Sequence, residues 1–102
     1  MNKNILLDEG GRTPPLRILQ NIIEHTTSSP GVYRMLDSGG NVLYVGKARN
    51  IKKRLASYSK LDQLTRRLQQ MVLSIDDIEI IETKSEKEAL LLEANLIKTL
   101  NP

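Results

Sequence analysis

Between Pro30 and Gly46 the sequence leaves the backbone few choices. Val32 to Leu36 and Asn41 to Val45 are short strand-like runs, and Asp37-Ser38-Gly39-Gly40 between them is rich in residues that tolerate positive φ. Two such runs around such a turn predict a β-hairpin. Upstream, Pro14-Pro15 opens a helix in which Leu16, Leu19, Ile22 and Ile23 share one face, ending near His25 before Ser28-Ser29-Pro30-Gly31 breaks it. Downstream of Gly46 the period becomes helical, with Ile51, Leu55 and Tyr58 on one side. Leu61, Leu64, Leu68, Met71 and Val72 mark a further helix, and Ile75 to Glu82 returns to a strand-like pattern. Ser85-Glu86-Lys87-Glu88 has the S-x-x-E form of a capping box and starts a last helix running to about Leu100. The predicted order is α-β-β-α-α-β-α, an α+β domain around a small sheet.

A chain of 102 residues supports one core and no second domain. Residues 1–12, ending in Gly10-Gly11-Arg12, read as a flexible lead-in, with the domain itself at 13–102. The longest apolar run, Ala89 to Leu92, is far short of the roughly 20 residues that span a bilayer, and the N-terminus lacks a signal-like apolar stretch. A cytoplasmic protein without a membrane partner is expected. Nothing in the pattern demands an oligomer, so a monomer is expected too. The absence of cysteine and the single histidine exclude disulfides and the usual thiolate or imidazole zinc sites, so any metal must sit on oxygen. His25, alone at a helix end, reads as structural. Walker, dinucleotide-binding, zinc-protease and nucleophile-elbow motifs are all missing.

The charge is uneven. Tyr44 to Gln70 holds eight basic residues against Asp62 alone, a local charge of +7, while seven basic and eleven acidic residues elsewhere give −4. Such a patch suits a polyanion, although a solvated helix face has the same composition. Two charged residues do not fit their helices. At about 100° per residue, Ala89, Leu90, Leu96, Ile97 and Leu100 all fall within about 60° of Glu93, which places a carboxylate in the middle of an apolar stripe. Arg54 likewise shares the inward side of its helix with Ile51 and Tyr58. A buried charge needs a partner. A salt bridge between Arg54 and Glu93 resolves both misfits. A metal on Glu93 and a phosphate on Arg54 resolve them equally.

The only aromatic residues, Tyr33, Tyr44 and Tyr58, lie in or beside the basic run, and Gly31 and Gly46 next to two of them leave room for close approach. A phenol near Lys47 or Arg54 is a physically reasonable general base, because a nearby cation favours the phenolate.

Gly31-Val32-Tyr33, followed after ten residues by Tyr44-Val45-Gly46, then Lys47-Ala48-Arg49-Asn50-Ile51-Lys52-Lys53-Arg54-Leu55 and Ser57-Tyr58, resembles the GIY-YIG nuclease family. Glu88-Ala89-Leu90-Leu91-Leu92-Glu93-Ala94-Asn95-Leu96-Ile97-Lys98 resembles the closing helix of its UvrC form. The resemblance implies a GIY-YIG fold, a small three-stranded antiparallel sheet flanked by helices. It implies a DNA endonuclease domain of nucleotide excision repair that cuts 3′ to a lesion, with one Mg²⁺ or Mn²⁺ on Glu93. In its terms Tyr44 is the general base or water-positioning phenol, Arg54 stabilises the phosphate, and Tyr33, Lys47 and Tyr58 complete the site. Lys47, Arg49, Asn50, Lys52, Lys53 and Arg54 face DNA, and Gly31 and Gly46 are structural turn glycines. The implied partners are damaged double-stranded DNA and, through regions outside this chain, UvrB. Because the family pattern continues past the last helix as P-x-Y-N, the resemblance also implies a fragment of a longer chain. A stand-alone GIY-YIG nuclease and a non-catalytic DNA-binding module are the alternatives to this reading.

Overall fold

The computed structural model describes residues 13–100; the expected lead-in at 1–12 lies outside them. Its elements are α1 (Pro15–His25), β1 (Gly31–Leu36), β2 (Val42–Ala48), α2 (Ile51–Tyr58), a 3₁₀ turn (Leu61–Gln63), α3 (Arg66–Leu73), β3 (Asp77–Glu82) and α4 (Glu86–Leu100). The strands form one antiparallel sheet in the order β2-β1-β3. The α+β architecture expected from the sequence is therefore present, and no helix among the described residues is long and apolar enough to cross a membrane.

Local chemistry sets most of the boundaries. Pro15 opens α1, where a missing N–H costs nothing. The hairpin turns on Asp37, whose carboxylate accepts from the backbone N–H groups of Gly39 and Asn41, each at 2.9 Å, while Gly40 takes φ +80°. Those donors, led by Asn41, hold the Asp37 carboxyl below its ordinary pKa. Asn50 caps α2 by accepting from Lys53 N at 3.0 Å, and Thr65 caps α3 by accepting from Leu68 N at 3.2 Å. Ser85 accepts from Glu88 N at 3.1 Å and Glu88 accepts from Lys84 N at 2.9 Å, a capping box whose return bond lands one residue early.

Three boundaries differ from expectation. β2 runs on through Gly46 to Ala48, because Gly31↔Ala48 and Val32↔Lys47 extend its pairing with β1. The expected helix from Leu61 onward is split, since the Thr65 cap starts a fresh helix and Gln69 Nε2 donates to the carbonyls of Leu61 and Leu64, at 2.7 and 3.1 Å, across the break. β3 starts at Asp77, so Ile75 lies before the strand as a core residue.

Tyr33, Met35 and Ile78 on one sheet face pack with Leu19 of α1, Ile51, Leu55 and Tyr58 of α2, Val72 of α3 and Ile75. Val32 is also buried although strand alternation points it the other way, and α4 packs along β1 and β2 with Ala89 buried. The apolar stripe expected around Glu93 is mostly not buried: Leu90, Ile97 and Leu100 remain 40% exposed or more. Two strands give α4 a narrow seat, and a stripe about 120° wide exceeds it.

Gly31 and Gly46, expected at turns, are both strand residues. A Cβ on Gly31 would overlap the Ile51 side chain and the Ile81 carbonyl, so this glycine lets β1, β3 and α2 meet. Gly31→Ala is expected to destabilise the domain by about 1–3 kcal/mol, the usual range for overpacking a tight site. Urea unfolding should show a lower midpoint at unchanged slope; an unchanged midpoint would mean the strands can part without cost.

Candidate active site

The register of β1 and β2 places Tyr33 opposite Gly46 and Met35 opposite Tyr44, which puts both tyrosines on the same sheet face. Tyr58, at the end of α2, turns onto that face from the adjoining helix. The three rings form a closed triangle with centroid separations of 6.0, 6.0 and 6.4 Å, tilted or edge-on to one another as aromatic quadrupoles prefer. A Cβ on Gly46 would overlap the Tyr33 phenol and come within 2.8 Å of the Tyr44 ring, so the glycine makes the triangle sterically available.

The three phenols are not equivalent. Tyr33 and Tyr58 are 1% and 6% exposed, whereas Tyr44 is 39% exposed. The Tyr33 and Tyr58 hydroxyls are hydrogen-bonded at 2.8 Å inside the core. Burial raises the pKa of both above the ordinary tyrosine value; their shared hydrogen bond raises Tyr33 further and lowers Tyr58, which the Tyr44 neighbour raises again. The charge of Arg54 acts in the opposite direction on both, which locates this guanidinium within electrostatic reach of the triangle. Two phenols are thus held neutral, and the third is the one a solvent-borne substrate can reach.

Arg54 itself is exposed rather than turned inward. Ile51, Leu55 and Tyr58 fill the inward face of α2, and the long arginine stem carries its charged head out to water. Glu93 is half-buried on α4. Among the described residues no ion pair joins it to Arg54, and no hydrogen bond or ion pair to a protein group satisfies it. The two misfits of the sequence therefore do not cancel each other. A lone hard-oxygen ligand suits a divalent cation such as Mg²⁺, which keeps several of its waters and takes one or two carboxylates. The described residues contain no group of three or more side chains able to hold a metal, so a cation held largely by protein ligands does not fit.

The expected DNA-facing residues fall in different situations. Lys47, Arg49, Asn50, Lys53 and Arg54 line a groove of about 920 Å³ between α2 and the start of α4. Lys52 is half-buried and does not line it. Asn50 spends its side-chain carbonyl on the α2 cap, and Arg49 is ion-paired to Glu86. Ser57, Glu86 and Lys87 line the same groove without having been expected there; Ser57 stands in the family motif beside Tyr58, and Glu86 and Lys87 follow the capping Ser85. His25 contacts the Asn21 carbonyl through Nδ1 at 2.8 Å, away from these groups in the chain.

The family model described as the UvrC-like GIY-YIG domain matches residues 29–102. UvrABC system protein C of Sphingopyxis alaskensis is 48% identical over 98 residues, covering 92% of this chain and 15% of that protein. Its counterpart in Dechloromonas aromatica is 60% identical over 76 residues, covering 74% of this chain and 13% of its own. The chain therefore spans about one seventh of the length of such relatives. The crystal structure of the GIY-YIG N-terminal endonuclease domain of UvrC from Thermotoga maritima, bound to magnesium as its catalytic divalent cation, superposes with a TM-score of 0.72 at 36% identity. That match covers 82% of this chain and 91% of the other.

The buried phenols set an alkaline limit. Their folded-state pKa values are raised, so the stabilisation is fully present below about pH 10, the free tyrosine value, and is lost as pH rises beyond it. The urea midpoint should hold between about pH 7 and 9 and fall by pH 11, less steeply in Tyr58→Phe than in the parent chain. A parent and variant falling in parallel would assign the loss to lysine deprotonation instead.

Proposed function

The chain belongs to the family of UvrC-like GIY-YIG domains, and from that premise we propose that it is a metal-dependent DNA endonuclease domain, the part of a UvrC protein that makes the incision 3′ to a lesion in nucleotide excision repair. The observation that carries this reading is the half-exposed phenol of Tyr44, set against two buried neutral phenols with the charge of Arg54 in reach. A general base must be accessible to the water it activates, and of the three tyrosines only Tyr44 meets that requirement.

In the proposed reaction Tyr44 orients a water molecule or takes its proton as the water oxygen attacks the scissile phosphorus. The phosphorus–oxygen bond to the leaving strand then breaks and the DNA is nicked. Arg54 neutralises charge on the equatorial oxygens of the transition state. Tyr33 and Tyr58 hold the Tyr44 ring in place through the triangle, and Lys47 adds positive charge on the strand that carries it. Glu93 would hold the divalent cation, Mg²⁺ or Mn²⁺, which when bound would supply neutralisation of the charge that develops on the phosphate. Lys47, Arg49, Asn50, Lys53 and Arg54 line the groove that takes the phosphate backbone, with Lys52 outside its lining. Damaged double-stranded DNA is the proposed substrate, loaded through UvrB by regions beyond this chain, in the cytoplasm and with the domain itself a monomer.

A supercoiled-plasmid nicking assay tests the reading. The parent chain should convert supercoiled to open-circular DNA with Mg²⁺ or Mn²⁺ and stop when EDTA is added. Tyr44→Phe should lower the rate by about 10²–10⁴-fold, the usual contribution of a general base, with the fold intact by circular dichroism. Glu93→Gln should abolish cation-dependent cutting. Cutting by Glu93→Gln at the parental rate would remove the carboxylate from the site, and DNA binding indifferent to cation with no cutting by any form would favour a non-catalytic binding module.

A further inference from the structure

The groove between α2 and the start of α4 carries five cations, Lys47, Arg49, Lys53, Arg54 and Lys87, and a single acid, Glu86. That acid is engaged: Arg49 Nε and Glu86 Oε2 form an ion pair at 2.5 Å. The pair ties the β2–α2 connection to the first turn of α4, so it spans the groove from one wall to the other. Its side chains are 82% and 59% exposed. An ion pair in that setting is weak and screened by salt, and a competing anion can displace its carboxylate. Glu86 also has a stable place without Arg49, because it lies in the first helical turn where a negative charge complements the helix dipole.

We propose that Glu86 is an intramolecular stand-in for a DNA phosphate, holding Arg49 across the groove in the free domain and giving it up when the sugar-phosphate backbone of a strand enters. The proposal rests on DNA being the ligand of this groove, as proposed above. Arg49 exchanges one anion for another, so its contact with DNA adds less affinity than a free arginine would. Glu86 simultaneously subtracts charge from a wall that otherwise attracts any polyanion. The pair therefore lowers indiscriminate DNA binding while keeping Arg49 positioned for a strand that is correctly seated. Lys53, Arg54 and Lys87 have no ion-pair partner among the described residues and make the first electrostatic contact.

The test is fluorescence anisotropy of a labelled duplex without divalent cation, over a salt series, using the parent chain, Glu86→Gln, Arg49→Gln and the combined variant, each checked for an unchanged urea midpoint. Glu86→Gln should bind about 3–10-fold tighter at low salt, with a log–log salt slope steeper by up to about one phosphate contact. In the Arg49→Gln background the same change should gain less than about 2-fold, because the arginine it releases is absent. Glu24→Gln on α1, a control for net charge, should gain nothing comparable. A gain of equal size with and without Arg49 would overturn the proposal, as would no gain at all. Absence of salt-dependent binding by the parent chain would instead remove DNA from the groove, and this proposal with it.

Discussion

The phenol of Tyr33 lying over the backbone of Gly46 is the contact on which the rest of the molecule depends. It is reached from three directions at once. β1 supplies the tyrosine, the β1–β2 register supplies the missing side chain opposite it, and α2 supplies the Tyr58 hydroxyl that satisfies the buried O–H. A phenol in a dry interior without a partner is costly, so the hydrogen bond and the burial form only together. One residue thereby fastens sheet to helix, and the exposed ring of Tyr44 has two rigid walls to rest against.

That arrangement divides the labour among chemically identical side chains. Depth separates Tyr33 and Tyr58, whose hydroxyls are buried and bonded to each other, from Tyr44, whose residue is partly exposed. The charged groups follow the same logic at the rim. Arg54 acts on the triangle through electrostatics while its head stays in water, and Glu93 is half-buried on α4, which packs on the same two strands. The tyrosine triangle is assembled from β1, β2 and α2, with α1 and α3 contributing Leu19 and Val72 to the core beneath it.

Features governed by neighbours in the chain were legible in the sequence. The Asp37 turn, the α2 face of Ile51, Leu55 and Tyr58, and the Ser85 capping box all follow from residues within a few positions of one another. Features governed by distant partners were not. The last three residues of β2 are strand only because β1 pairs with them, and nothing between Gly46 and Ala48 announces it. Helical geometry correctly put Arg54 near Ile51 and Tyr58, but angular position cannot say whether a flexible stem keeps its charge in the core or lifts it out. The apolar stripe of α4 was visible, yet how much of it is covered depends on the two strands beneath. The Arg49–Glu86 pair joins residues 37 positions apart, beyond any local pattern. The family resemblance groups the candidate site residues; their differing depths come only from the fold.

The β1–β2 ladder slips between Met35 and Leu36: Met35 pairs with Tyr44 and Leu36 with Val42, leaving Leu43 as the extra residue. The irregularity falls between the turn and Tyr44, on the far side from Gly46. Alignment of Tyr44 is therefore referenced to the glycine beneath Tyr33 and not to the hairpin tip. The geometry of the tip is thus separated from Tyr44 by the slip, and the pairing of Tyr44 with Met35 continues in register to Gly46 and Ala48.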